Sequence, residues 1–138
     1  LVHRSFFEGY SLADMGLEIG ARGTATLTVE AKDTAIALGS GDVPVLGTPR
    51  VVALLEQAAV AALADGLDAG VTSVGTHIAI DHLAASFVGA SIEAVAEVVA
   101  VDGRALSFRL TAFEGDRLVA TGNHTRLAVD RERFLRPR

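Results

Sequence analysis

From Arg22 to Ala31 the chain reads RGTATLTVEA and alternates without a break: Ala25, Leu27 and Val29 fall on one side, Thr24, Thr26, Thr28 and Glu30 on the other. A period of two marks a strand with one face buried and one face wet. The period returns three times after residue 70. TSVGTHIAIDHL sets Val74, Thr76, Ile78, Ile80 and His82 against Gly75, His77, Ala79 and Asp81. GASIEAVAEVVAVDG sets Ile92, Ala94, Ala96 and Val98 against Glu93, Val95, Glu97 and Val99. ALSFRLTAFEGDRL sets Leu106, Phe108, Leu110 and Ala112 against Ser107, Arg109 and Thr111. Asp102-Gly103 and Glu114-Gly115-Asp116 carry turn chemistry and predict hairpins, the second leading into a last strand, RLVATGNHTRLAV.

One stretch changes the period. GTPRVVALLEQAAVAALADG, residues 47 to 66, reads as a long helix that opens at Thr48-Pro49 and stops at Gly66. It is apolar nearly all round, as a helix wrapped by a sheet should be, yet it carries Glu56 on the face of Val52, Ala59, Val60 and Leu63. An acid there calls for a partner. Before the helix, residues 39 to 47 form a mobile or tightly turned loop, with three glycines and Pro44. Residues 1 to 17, with Phe6, Phe7, Tyr10, Leu12 and Met15, read as an apolar lead-in strand or arm, and the tail DRERFLRPR as charged and solvated.

One or two strands, one long helix, then three or four strands joined by short turns do not suit a doubly wound fold, because one helix cannot cover both faces of a sheet. The expected architecture is α+β: a single domain over residues 1–138, with an antiparallel sheet curled around one central helix. Strand edges rich in Val, Ala and Ile predict pairing with another subunit.

Composition narrows the partners. Half of the 138 residues are hydrophobic and 21% are charged, which argues against long disorder. A net charge of -5 argues against nucleic acid as the main partner. The absence of cysteine excludes disulfides and thiolate chemistry and fits an intracellular protein. LVHRSFFEGYSLADMG lacks the apolar core of a signal peptide, and its missing initiator Met predicts a processed or truncated start. Glu56, Gln57 and Asp65 interrupt the longest apolar run, so no membrane span is expected.

Thr48, Glu56, His82 and Arg126 stand out for chemistry, with Gly75 as a place where a ligand could approach the backbone. His82 ends a strand face aimed at the layer that holds Glu56, so the two form a candidate base and carboxylate pair. Thr48 lies where helical N–H groups favour negative charge. Donors, a base and a carboxylate together could handle an acyl group. Each residue also has a structural reading: Thr48 as a helix cap, Glu56 as a half-exposed carboxylate, His82 as a hydrogen-bonded strand end, Arg126 as a surface ion-pair member. His77 and His124 read as surface or interface groups, and Asp81 points away from His82. No metal signature is present, so neither metal nor cofactor is expected.

LGTPRVVALLEQAA, followed by SVGTHIAIDHLAASFVGASIEAVAEVVAVDGRALSFRLTAFEGDRLVATGNHTRLAV, resembles the hot-dog-fold acyl-CoA thioesterases, and within them the fluoroacetyl-CoA thioesterase-like group. The resemblance spans roughly residues 7 to 134. It implies a homodimer with its active site between subunits, and metal-free hydrolysis of an acyl-CoA to a carboxylate and coenzyme A in the cytoplasm. The group's catalytic threonine falls on Thr48, its helix glutamate on Glu56 and its histidine on His82. Its glycine falls on Gly75, and the arginine of its G-x-H-x-R stretch on Arg126, the last two as substrate-binding residues. Glu56 then attacks the carbonyl or helps activate water, with His82 as base. Two departures stand out. GSGDVPVLG has no aromatic residue where the group carries a phenylalanine-bearing lid, which points away from a fluoroacetyl substrate, and Asp81 precedes the histidine. The alternatives are a hydratase or dehydratase, which needs a helix histidine that is missing here, and a non-catalytic acyl-CoA or small-ligand binding module.

Overall fold

The computed structural model describes residues 12–15 and 17–138. Phe6, Phe7 and Tyr10 of the expected lead-in arm lie outside the described residues, while Leu12–Met15 forms a 3-10 turn that buries Leu12. Five strands follow: β1 (Arg22–Thr28), β2 (Val71–His82), β3 (Ser91–Asp102), β4 (Ala105–Glu114) and β5 (Arg117–Asp130). They make one sheet in the order β1-β3-β4-β5-β2, antiparallel at every pairing. The helices are α1 (Ala35–Leu38), α2 (Thr48–Ala62) and α3 (Arg131–Phe134), of which only α2 is long.

The alternation read from the sequence sets the core. Ile92, Ala94, Ala96 and Val98 of β3 and Leu106, Phe108, Leu110 and Ala112 of β4 are buried, and they form one cluster with Val51, Leu54, Leu55, Ala58 and Ala59 of α2. The helix lies directly on β1: a Cβ at Gly23 would overlap the backbone of Ala58 and Ala62. Close approach of this kind is what a strand glycine permits.

Several expectations for the helix are corrected. Gly47, not Thr48, is the N-cap residue, and Thr48 occupies the first helical turn with Pro49. The helix ends at Ala62, four residues before the expected stop at Gly66. Gly66 has no positive φ; a Cβ there would push on the Leu17 side chain. The sheet covers one side of α2, leaving Ala53, Gln57, Val60 and Ala61 exposed. The apolar character of that outer side therefore has no counterpart among the described residues.

The loop ahead of α2 is tightly held. Thr34 caps α1 by accepting from Ala37 N–H, and Gly39 closes it at φ 75°. Ala35 N–H donates to the Val45 carbonyl, Leu46 N–H to Ser86, and Gly47 N–H to Asp33, at 2.8 to 2.9 Å. Buried Asp33 also accepts from Arg50 Nε at 3.2 Å. The first turn of α2 is thus fixed on both flanks of Thr48.

Candidate active site

At the start of α2, Thr48 Oγ1 lies 2.8 Å from His82 Nδ1, at the end of β2. Burial pushes the His82 pKa below its ordinary 6.5, and the Ala84 carbonyl offsets part of that shift. In the neutral ring the hydroxyl can donate to Nδ1, leaving the proton on Nε2, which is buried and has no hydrogen-bond partner among the described residues. A hydroxyl beside an uncharged imidazole is the starting geometry for proton transfer.

Glu56 faces a different set of residues. Arg126 Nη1 donates to Glu56 Oε2 at 3.0 Å and also meets His124 Nε2 at 3.2 Å. Ser73 holds the rest of the guanidinium, its hydroxyl accepting from Nε at 2.9 Å and its carbonyl from Nη2 at 3.1 Å. His124 donates from Nδ1 to the His77 carbonyl at 2.6 Å, which fixes the tautomer and leaves Nε2 as an acceptor for the arginine. Burial, more than the neighbouring Arg126 charge, pushes the His124 pKa down. The 3.8 Å approach of His124 Nε2 to Glu56 is therefore bridged by Arg126 and is not an ion pair of its own.

A bulge assembles this second cluster. β2 shifts register on β5 between Gly75, which faces Arg126, and His77, which faces Thr125. The extra residue, Thr76, turns Gly75 onto the inward face with Ile78, Ile80 and His82, correcting the strict alternation expected from the sequence. Gly75 then lies against the carboxylate: a Cβ there would come within 2.6 Å of Glu56 Oε2.

Two further expectations change. Within one chain the partner of Glu56 is Arg126, not His82, because eight helical residues separate Thr48 from Glu56 by about 12 Å along the axis. His124 is buried at 2% exposure and is no surface group. Its signal was in the chain all along: in a strand, residues i and i+2 share a face, so a histidine two before Arg126 points where Arg126 points. Ser73 precedes Gly75 by the same spacing. His77 and Asp81 are exposed, as expected.

The model of the fluoroacetyl-CoA-specific thioesterase family matches residues 29–132, which include all five candidate residues. The chain belongs to this family. A fluoroacetyl-CoA thioesterase of Streptantibioticus cattleyicolor is 38% identical over 90 residues, a match that spans 65% of this chain and 65% of that relative's length. The solved structure of a phenylalanine-to-alanine variant of the fluoroacetyl-CoA-specific thioesterase, in complex with fluoroacetate and CoA, aligns with TM-score 0.79 and 32% identity. That alignment covers 85% of this chain and 98% of that one. A hot-dog-like protein from Thermanaerovibrio acidaminovorans shares the fold at TM-score 0.80 and 22% identity, over 89% of this chain and 90% of its own. The curled antiparallel sheet around α2 is thus the hot-dog fold, as expected. No helix among the described residues is long and apolar enough to cross a membrane.

Proposed function

We propose that this family member hydrolyses acyl-CoA thioesters as a homodimer, each active site joining Thr48 and His82 of one subunit to Glu56, Gly75 and Arg126 of the other. The carrying observation is the split described above. Each chain holds a hydroxyl–imidazole pair and a clamped carboxylate, too far apart to act on one carbonyl.

The edge of β2 supports this assembly. It is a 12-residue edge strand with no proline or lysine and one acidic residue, Asp81, an edge that ordinarily needs covering. Antiparallel pairing of β2 with its copy about a two-fold axis at Ala79 sets Gly75, displaced by the Thr76 bulge, across from the partner subunit's His82 on the same face. The two half-sites then meet twice, once at each end of the interface.

The chemistry follows from those groups. The Thr48 N–H, at the first helical position, has no intrahelical acceptor and is a donor for the carbonyl oxygen as it becomes an oxyanion. The Glu56 carboxylate attacks the carbonyl carbon or orients water to do so. If Glu56 attacks, the C–S bond breaks to release thiolate and leave a mixed anhydride, which water then opens; if Glu56 orients water, the water oxygen adds and the C–S bond breaks in the collapse. On either route the water proton passes through the Thr48 hydroxyl to His82 Nδ1 and on to the thiolate, giving a carboxylate and free coenzyme A. These steps use side chains and water, without a metal, and belong in the cytoplasm, where acyl-CoA is made and used.

Release of free thiol from a panel of acyl-CoAs tests the proposal. Turnover in the wild type, lost at least a hundredfold in both Glu56→Gln and His82→Ala, supports it; full activity in either variant overturns the site. Oxygen-18 from labelled water appearing in Glu56 during a single turnover marks direct attack by the carboxylate, with water opening the anhydride at the Glu56 carbon.

A further inference from the structure

We infer that the acyl group is an aliphatic chain, straight or branched, of about four to eight carbons, seated in the cavity beside Thr48 and His82. This rests on the thioesterase reading and names its substrate class. The cavity has a volume of about 350 Å³, and Thr48, His82, Ala35, Val43, Val45 and Leu83 are among its lining residues. Ser40, Asp42, Thr48 and His82 make part of the lining polar, and Ala84 and Ala85 join the apolar part. At roughly 30 Å³ for each small heavy atom, a two-carbon acyl group with one extra substituent fills about a third of that space. A four-carbon acyl group takes under half of it and an eight-carbon one about three quarters.

Charge decides which end of the substrate enters. Asp42 is the one charged residue among the groups lining the cavity besides the neutral His82, and no arginine or lysine is among them. The phosphates of coenzyme A are repelled by a carboxylate and gain nothing from alanine, valine and leucine, so the cavity takes the acyl end. The walls are also exposed as they stand: Val43 is 49% and Leu83 57% open to solvent. Phe87, 67% exposed, pairs with Val45 through an isolated bridge and extends the apolar surface beyond the cavity. A chain lying here buries apolar surface that the protein alone leaves wet.

The test is kcat/KM across straight-chain acyl-CoAs from two to ten carbons, with isobutyryl- and isovaleryl-CoA, in wild type and in Val43→Phe and Leu83→Ser. Each methylene that enters the cavity should raise kcat/KM about threefold to fourfold, with a maximum between about four and eight carbons. Val43→Phe, which fills the cavity, should cut the hexanoyl-to-acetyl preference at least tenfold, and Leu83→Ser should flatten the chain-length series. Both positions are exposed in the single chain, and because Leu83 adjoins the β2 edge proposed to pair with the partner, the denaturation midpoint and dimer mass of each variant are measured alongside. A wild type that prefers acetyl- or fluoroacetyl-CoA, or a chain-length series that neither variant alters, overturns the inference. If the wild type hydrolyses nothing, the thioesterase reading fails, and calorimetric binding of hexanoyl- and acetyl-CoA decides the cavity separately. Tighter hexanoyl binding that Val43→Phe abolishes upholds the apolar pocket; equal binding overturns it.

Discussion

Arg126 Nη1 stands 3.0 Å from Glu56 Oε2, and the same nitrogen meets His124 Nε2 at 3.2 Å, so one buried guanidinium orients the carboxylate of the central helix. Removing the arginine strips the carboxylate of its clamp and Ser73 and His124 of their donor. Arg126→Ala should destabilise the protein by about 2 to 4 kcal/mol, read as a fall in denaturation midpoint, and lower turnover at least a hundredfold. Glu56→Gln keeps an acceptor for Nη1 but removes the counter-charge of the buried guanidinium, so it should cost less stability than Arg126→Ala while turnover is lost. An unchanged midpoint in Arg126→Ala would refute the clamp.

Gly75 has no room for a side chain. A Cβ there would come within 2.6 Å of Glu56 Oε2, so Gly75→Ala pushes the carboxylate away from Arg126. The expected result is a loss of about 1 to 3 kcal/mol and at least a tenfold fall in kcat. Wild-type kinetics in Gly75→Ala would show that the carboxylate position is not critical.

The pH dependence has a definite sign. The folded pKa values of His82 and His124 both lie below 6.5, burial being the first cause in each. The unfolded chain therefore binds protons that the folded chain resists. Stability is fully present above pH 6.5 and declines as pH falls from there towards the folded pKa values. Activity that needs neutral His82 should persist below pH 6.5 and show its acid limb under that value. An acid limb centred above 6.5 would contradict the burial of His82.

Thr48 separates capping from chemistry. Because Gly47 is the N-cap, Thr48→Ala should leave the denaturation midpoint almost unchanged, whereas loss of the 2.8 Å bond to His82 should lower kcat about 10² to 10³-fold. Thr48→Ser, which keeps the hydroxyl, should recover most of that loss. Equal kcat in the alanine and serine variants would remove the hydroxyl from the mechanism.

Much of the fold was legible because the strands are half-buried. Alternation in β1, β3 and β4 named the inward residues directly, and Asp102-Gly103 and Gly115 marked the hairpin turns. The Thr76 bulge was not legible: VTSVGTHIAIDH reads as unbroken alternation, and only the ladder with β5 reveals the extra residue that brings Gly75 inward. Reading Thr48-Pro49 as a cap also went astray, since a hydroxyl one residue inside the helix looks the same on paper. The pairing of Glu56 with Arg126 joins residues 70 apart, beyond the reach of local spacing.

The composite site is tested most directly by subunit complementation. Glu56→Gln and His82→Ala, each inactive alone, are unfolded and refolded together so that subunits mix. A site shared between subunits leaves every mixed dimer with one intact centre, and random assembly should restore about one quarter of wild-type turnover. A mixture as inactive as its parents would contradict a site built from both chains.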